Sequence, residues 1–239
     1  MFDRTRDFFA RLFTPVARFL LARGVSPDAV TIIGTLGVCA GSLVFFPTGH
    51  LLIGALVVTV FVFSDTVDGV MARLEGRPSK WGAFLDSTLD RFGDSAIFGG
   101  LVFYYIGPGD SKVWAGFALA CLVMGSLTSY ARARAEGLGM TAKGGIAERA
   151  DRLVSVLVAA GFSGMGVPWI LEIVLVLLAA ASSITVVQRI LLVRRQALAP
   201  AGPGVTDPPA ADPVTTPVDL AVAPAADHLP EPDRTPTDG

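Results

Sequence analysis

Six apolar runs, at about residues 29–47, 51–73, 82–106, 113–135, 150–166 and 169–193, restrict the fold of this chain more than any other feature. Most approach the roughly 20 residues that an α-helix needs to cross the bilayer hydrocarbon. A backbone passing through lipid must satisfy its own hydrogen bonds, so runs of this length fold as helices. Composition agrees: 52% of the 239 residues are hydrophobic and only 17% are charged. That is the profile of an integral membrane protein, and no nucleic-acid partner is expected. The fifth run, "RADRLVSVLVAAGFSGMG", is the shortest. Frequent Gly and Ala suit close helix–helix packing in lipid.

The flanks differ from the runs. In "MFDRTRDFFARLFTPVARFLLARG", Phe8, Phe9, Leu12, Phe13, Val16, Phe19 and Leu20 recur at helical spacing between arginines. This predicts a basic amphipathic helix on an anionic membrane surface, kinked at Pro15, and no cleavable signal peptide. From Pro200 the chain is rich in Pro, Ala, Asp and Thr without periodicity, which predicts disorder. The expected fold class is therefore all-α: an integral membrane bundle of six transmembrane helices preceded by an amphipathic interfacial helix. The expected divisions are 1–25 for that helix, 26–196 for the bundle and 197–239 for a cytoplasmic tail. Cys39 and Cys121 lie in separate apolar runs and read as small buried residues, with no disulfide framework or zinc site.

Basic residues alternate along the chain. Arg73, Arg77 and Lys80 follow the second run; Arg132, Arg134, Lys143, Arg149 and Arg152 follow the fourth; Arg194 and Arg195 follow the sixth. The other connections, "FPTGH", "GPGDSK" and "SGMGVP", hold only Lys112. The positive-inside rule then predicts a multi-pass protein of the cell membrane with both termini in the cytoplasm.

Against this background "SDTVDGVMARLEGRPSKWGAFLDSTLDRFGDS" (64–95) places Asp65, Asp68, Asp86, Asp90 and Asp94 in or beside apolar helices. The short turn "EGRPSK" predicts an antiparallel helical hairpin. Asp65 and Asp90, and likewise Asp68 and Asp86, are equidistant from a turn centre near Arg77. Spacings of three and four residues keep each helix's pair on one face, so four carboxylates should converge near the cytoplasmic end. Unaided, such a cluster cannot stay ionised in a low dielectric. A hard divalent cation, or two, resolves the repulsion, and a two-metal clamp suits displacement at phosphorus. The alternative is helix-end carboxylates that face water or pair with arginines. That reading suits Asp94, which lies deeper and outside the mirrored set. Gly69, Ala72 and Gly82 leave room for a ligand near the backbone or serve helix packing, and Arg73 contacts phosphate or anchors the helix.

The pattern D-x₂-D-G-x₂-A-R-x₈-G-x₃-D-x₃-D is filled at every position by Asp65, Asp68, Gly69, Ala72, Arg73, Gly82, Asp86 and Asp90. It resembles the signature of the CDP-alcohol phosphatidyltransferase family, and the likeness extends over about residues 1–196. The resemblance implies transfer of a phosphatidyl group from CDP-diacylglycerol to an acceptor hydroxyl with release of CMP. It implies Asp65, Asp68, Asp86 and Asp90 as ligands of two ions, Mg²⁺ or alternatively Mn²⁺, with Asp90 also the general base. Gly69, Ala72, Arg73 and Gly82 would line the CDP pocket. "SPDAVT" resembles the family's nucleotide-contacting stretch, which adds Asp28 and Thr31. The active site would be cytoplasmic, and the protein a homodimer.

The stretch "SYARARAEGLGMTAKGGIAERADRLV" (129–154) places Ser129 and Arg132 one turn apart on one helix face. A hydroxyl with several bundle-facing arginines suits a phosphorylated acceptor. This part resembles the actinobacterial phosphatidylinositol phosphate synthases, which implies inositol 1-phosphate as acceptor. Ser129, Arg132, Arg149, Arg152 and Arg189 would hold its phosphate, with arginine at 132 where relatives commonly carry lysine. Two other functions remain open at this point: a phosphatidylglycerophosphate synthase using glycerol 3-phosphate, and a non-enzymatic divalent-cation carrier.

Overall fold

The computed structural model describes residues 2–76, 79–146 and 148–199, with side chains from Leu12 onward. Arg77 at the turn centre, the side chains of Phe8 and Phe9, and the tail from Pro200 lie outside what is described. Among the described residues, eight helical segments follow one another: α1 (Phe2–Ala22), α2 (Pro27–Phe45), α3 (Leu51–Val62), α4 (Ser64–Leu74), α5 (Lys80–Ile106), α6 (Lys112–Gly137), α7 (Arg149–Gly164) and α8 (Ile170–Ala197). The described residues contain no strand.

The apolar runs coincide with helices, with one correction. The second run is broken at Phe63 into α3 and α4. The Ser64 hydroxyl donates to the Phe61 carbonyl at 2.6 Å, competing for the acceptor that the Asp65 amide would use in an unbroken helix. A Cβ added at Gly34 of α2 would collide with the Ser64 side chain, so the break is fitted against a glycine. Among the described residues, four stretches are long and apolar enough to cross a membrane: Pro27–Phe45, Leu51–Leu74, Lys112–Gly137 and Ile170–Ala197. Helix α5 falls outside this group because it carries Lys80, Asp86, Asp90, Arg91 and Asp94, and α7 because it has 16 residues.

Packing closes a circuit. Helix α2 packs on α3 and α5, α5 on α6, α6 on α8, α8 on α7, and α7 on α3. The core between them includes Phe46, Val58, Ile97, Leu101, Tyr105, Val156, Leu171 and Leu175. Small residues set the closeness: a Cβ at Gly100 of α5 would stand 2.6 Å from the Ser42 carbonyl oxygen of α2. Leu36, Val60, Phe103, Leu177 and Ile190, each more than half exposed, present apolar surface outward. A chain that leaves such residues exposed on helices of this length is a membrane protein.

Helix α1 runs through Pro15 as one helix. Phe13, Ala17, Leu20 and Leu21 pack on Val67, Val70 and Met71 of α4, while Leu12, Val16 and Phe19 face outward. The basic amphipathic helix thus has two apolar stripes, one spent on α4 and one left for the surroundings.

The expected hairpin is also corrected. Helix α4 packs on α1 and α2, and α5 on α2 and α6; α4 and α5 share α2 instead of packing along each other. Two facing rows of carboxylates repel, and helices bearing them stay apart unless positive charge fills the space.

Candidate active site

Asp65 lies in the first turn of α4 and Asp68 one turn on, buried; on α5, Asp86 is exposed and Asp90 half-buried. The charge of Asp86 bears on Asp65, Asp68 and Asp90, and that of Asp65 bears on Asp68 and Asp90. The four predicted ligands therefore share one region. They are not drawn into a chelating set: among the described residues, no three His, Cys, Asp or Glu side chains converge closely enough to hold a metal ion. Arg149 stands among them instead. Its Nη1 lies 2.8 Å from Asp90 Oδ1 and 3.3 Å from Asp65 Oδ2, and its Nε donates to Asp94 Oδ1 at 3.1 Å. Arg91 adds a looser contact, 3.6 Å from Asp90 Oδ2. Asp86 makes no ion pair among the described residues. Four carboxylates with incomplete neutralisation are a hard-oxygen donor set that fits a divalent cation. A small cavity beside Asp65, Asp90 and Arg149 is lined on its apolar side by Val38, Val62, Ile97 and Leu153.

The residues assigned to the nucleotide gather beside this cluster. Thr31 is buried on α2 and donates to Asp68 Oδ2 at 2.6 Å, tying α2 to α4. Asp28, in the first turn of α2, accepts from the Trp81 indole at 3.1 Å, and a Cβ at Gly82 would be 3.7 Å from Asp28 Oδ1. Ser26 caps α2 by accepting from the Ala29 amide at 3.2 Å, with Pro27 in the first turn. Ser79 caps α5 through the Gly82 amide at 2.8 Å. A Cβ at Gly69 would meet nothing within 4 Å, so its surface is open. Ala72 is half-buried and Arg73 exposed near the end of α4. Trp81 carries no motif signal in the sequence, because its partner Asp28 lies 53 residues away.

The acceptor assignments divide into two groups. Arg152, 1% exposed on α7, reaches Asp94 Oδ2 with Nη2 at 3.4 Å. Its guanidinium crosses Gly125 of α6, where an added Cβ would stand 3.2 Å from Nε. Arg189, 5% exposed on α8, donates Nε to the Gly144 carbonyl at 3.2 Å and Nη1 to the Thr128 carbonyl. Arg132 and Arg152 are both near enough to act on Arg189 as like charges. Arg132 itself is exposed and engages Glu136 at 3.0 Å, and the Ser129 hydroxyl donates to the Gly125 carbonyl at 3.2 Å. Arg149 is the exception: it sits with the carboxylates. Glu148 and Asp151 form a capping box that starts α7, fixing Arg149 and Arg152 one turn apart. The connection before α7 is strapped to α8: the Ile146 amide donates to Thr185 Oγ1 at 3.1 Å, and Gln196 Nε2 to the Thr141 carbonyl at 2.6 Å. Thr128, Thr185, Gln196 and Gly125 act through contacts distant in sequence and carry no local signal.

An apolar helical bundle with carboxylates beside buried arginines defines a membrane protein that handles charged groups next to lipid. Residues 24–144 match the family model of the CDP-alcohol phosphatidyltransferases. The chain is 54% identical over 198 residues to the phosphatidylinositol phosphate synthase of Streptomyces avermitilis, covering 80% of this chain and 81% of that one. It is similar to two crystal structures of Mycobacterium tuberculosis phosphatidylinositol phosphate synthase. The one with CDP-DAG bound has a TM-score of 0.75 at 42% identity, covering 83% of this chain and 98% of that chain. The one in complex with manganese and citrate has a TM-score of 0.73 at 42% identity, covering 82% and 92%. The chain belongs to the CDP-alcohol phosphatidyltransferase family. It is a CDP-diacylglycerol-dependent phosphatidyltransferase of phospholipid biosynthesis.

Proposed function

We propose that this enzyme is a phosphatidylinositol phosphate synthase, transferring the phosphatidyl group of CDP-diacylglycerol to inositol 1-phosphate and releasing CMP. The observation that carries the acceptor is the pair Arg152 and Arg189, buried on adjacent helices α7 and α8 and close enough to interact. Arg152 is held by Asp94, whereas the hydrogen bonds of Arg189 go to backbone carbonyls, and a phosphorylated acceptor supplies Arg189 with an anion where a neutral alcohol does not. Arg189 uses Nε and Nη1 on carbonyls, and Ser129 and Arg132 extend the same patch. The names of the relatives favour the same acceptor.

Asp65, Asp68, Asp86 and Asp90 would hold two divalent ions, Mg²⁺ or Mn²⁺, which neutralise the donor pyrophosphate and polarise its phosphorus. The manganese complex of the M. tuberculosis enzyme supports a divalent ion. Asp28, Thr31, Gly69, Ala72, Arg73 and Gly82 would cradle the CDP moiety. Asp90 takes the proton of the acceptor hydroxyl as its oxygen bonds to the phosphatidyl phosphorus. The bond from that phosphorus to the bridging oxygen of CMP breaks, and CMP leaves with the electron pair.

The experiment for the acceptor is a panel. Purified enzyme, Mg²⁺ and CDP-diacylglycerol are given inositol 1-phosphate, free inositol, glycerol 3-phosphate or serine, and CMP release is followed. Inositol 1-phosphate is expected to be used best. Preference for glycerol 3-phosphate would make the enzyme a phosphatidylglycerophosphate synthase, and efficient use of free inositol would leave the arginines without a substrate role. No CMP release with any of the four would place the acceptor alcohol outside this panel.

The same reading includes the membrane arrangement. Six crossings, with α3 and α4 together as one, put both termini and the active site in the cytoplasm of a homodimeric cell-membrane protein. Residues 1–25 lie at the interface, 26–196 form the transferase domain and 197–239 are a cytoplasmic tail. In a cysteine-free variant, single cysteines at positions 47 and 109 are expected to label with an impermeant maleimide in intact cells, and one at 79 to remain unlabelled. Labelling at 79 would invert the topology.

A further inference from the structure

Arg149 occupies the space that the proposed function gives to a divalent cation. Its Nη1 bridges Asp90 Oδ1 at 2.8 Å and Asp65 Oδ2 at 3.3 Å, joining one carboxylate from α5 to one from α4. Its Nε is held elsewhere, by Asp94 at 3.1 Å. Asp94 is buried, is outside the four proposed metal ligands, and is also bound by Arg152 at 3.4 Å. The side chain thus has an anchored base and a reaching tip, and the two ends serve different groups. A divalent cation takes carboxylate oxygens at about 2.0–2.6 Å. Bound to Asp65 and Asp90, it would stand within a few ångströms of Nη1, where the repulsion between the two cations is severe in a partly buried site. Both cannot hold the same carboxylates.

We propose that Arg149 is a positioning residue that serves as the internal counter-ion of Asp65 and Asp90 and is exchanged for the divalent cation. Its Nε stays on Asp94 while the released Nη1 turns to the acceptor phosphate beside Arg152. This inference rests on the metal and acceptor reading above. It orders the reaction: the acceptor pocket lacks one of its cationic donors until the metal is in place. It also gives Asp65 and Asp90 a neutralising partner before a metal binds.

The test is Mn²⁺ binding to the full-length protein in lipid nanodiscs without CDP-diacylglycerol, read from the electron paramagnetic resonance signal of free Mn²⁺. Arg149→Gln removes the competitor and is expected to tighten Mn²⁺ binding by at least about tenfold, the equivalent of one charge-assisted contact. Arg149→Lys keeps the charge without the two-ended reach and is expected to fall between Arg149→Gln and the wild type. Inositol 1-phosphate binding is expected to strengthen on adding Mn²⁺ to the wild type and to lose that response in Arg149→Gln. A merely structural arginine would leave Mn²⁺ affinity equal or weaker in both variants. That result, with wild-type binding still abolished by Asp65→Asn, overturns the exchange and leaves the metal reading standing. Wild-type Mn²⁺ binding that is absent, or indifferent to Asp65→Asn, overturns the metal reading and the exchange with it.

Discussion

Asp90→Asn is expected to lower turnover by about 10²–10⁴-fold, the usual range for losing a general base, and further where metal binding weakens. The amide cannot accept the proton of the acceptor hydroxyl at neutral pH, yet it matches the carboxylate in size. The fold and CDP-diacylglycerol binding should therefore persist. Initial rates of CMP release at saturating substrates, beside a donor-binding titration, make the measurement. A loss under about tenfold with donor binding intact would remove Asp90 from the role of base. The position is suited to it: Asp90 is half-buried between Arg149 and Arg91 at the rim of the small apolar-lined cavity.

The second large effect falls on stability. Asp94→Ala removes a carboxylate that is 6% exposed and shared by Arg149 and Arg152, leaving Arg152 in the interior across Gly125 with its compensation reduced. Removing one partner of a buried ion pair costs roughly 3–5 kcal/mol. The thermal midpoint of the detergent-purified protein should drop accordingly. Pairing the change with Arg152→Met should recover part of the loss, because an apolar replacement of both partners leaves no buried charge. A midpoint within a degree of the wild type for Asp94→Ala would mean that Arg152 does not depend on this carboxylate.

What could be read from the sequence follows the range of the interactions. The carboxylate pattern is local, with spacings of three and four residues, so the grouping of Asp65 with Asp68 and of Asp86 with Asp90 was legible. So was the course of the helices, since five of the six apolar runs lie on one helix each and the second lies on α3 and α4. The neighbours of Asp94 were not: Arg149 and Arg152 are 55 and 58 residues away. Reading Asp94 as a group that pairs with arginines was right in kind. Nothing local showed that it is buried or that Arg149 leaves the acceptor cluster to join it. The hairpin misled for a physical reason. A short turn specifies that two helices are consecutive, whereas lateral packing depends on what their faces carry, and here both faces carry like charge. The break at Phe63 was missed because no glycine or proline marks it, though Ser64 and Asp65 are residue types that favour helix starts.

That break has an electrostatic consequence. A helix that begins inside a long apolar segment presents its first amides without carbonyl partners one turn back, and the aligned peptide dipoles place a partial positive charge there. Asp65 lies in this first turn of α4. Anions near such an end are favoured by about 0.3–1 kcal/mol at exposed sites and more where water is scarce. Phe63 therefore does more than interrupt the second span. The half-helix that starts there carries Asp65 at its amino end, so the backbone adds to what favours the charge of that carboxylate.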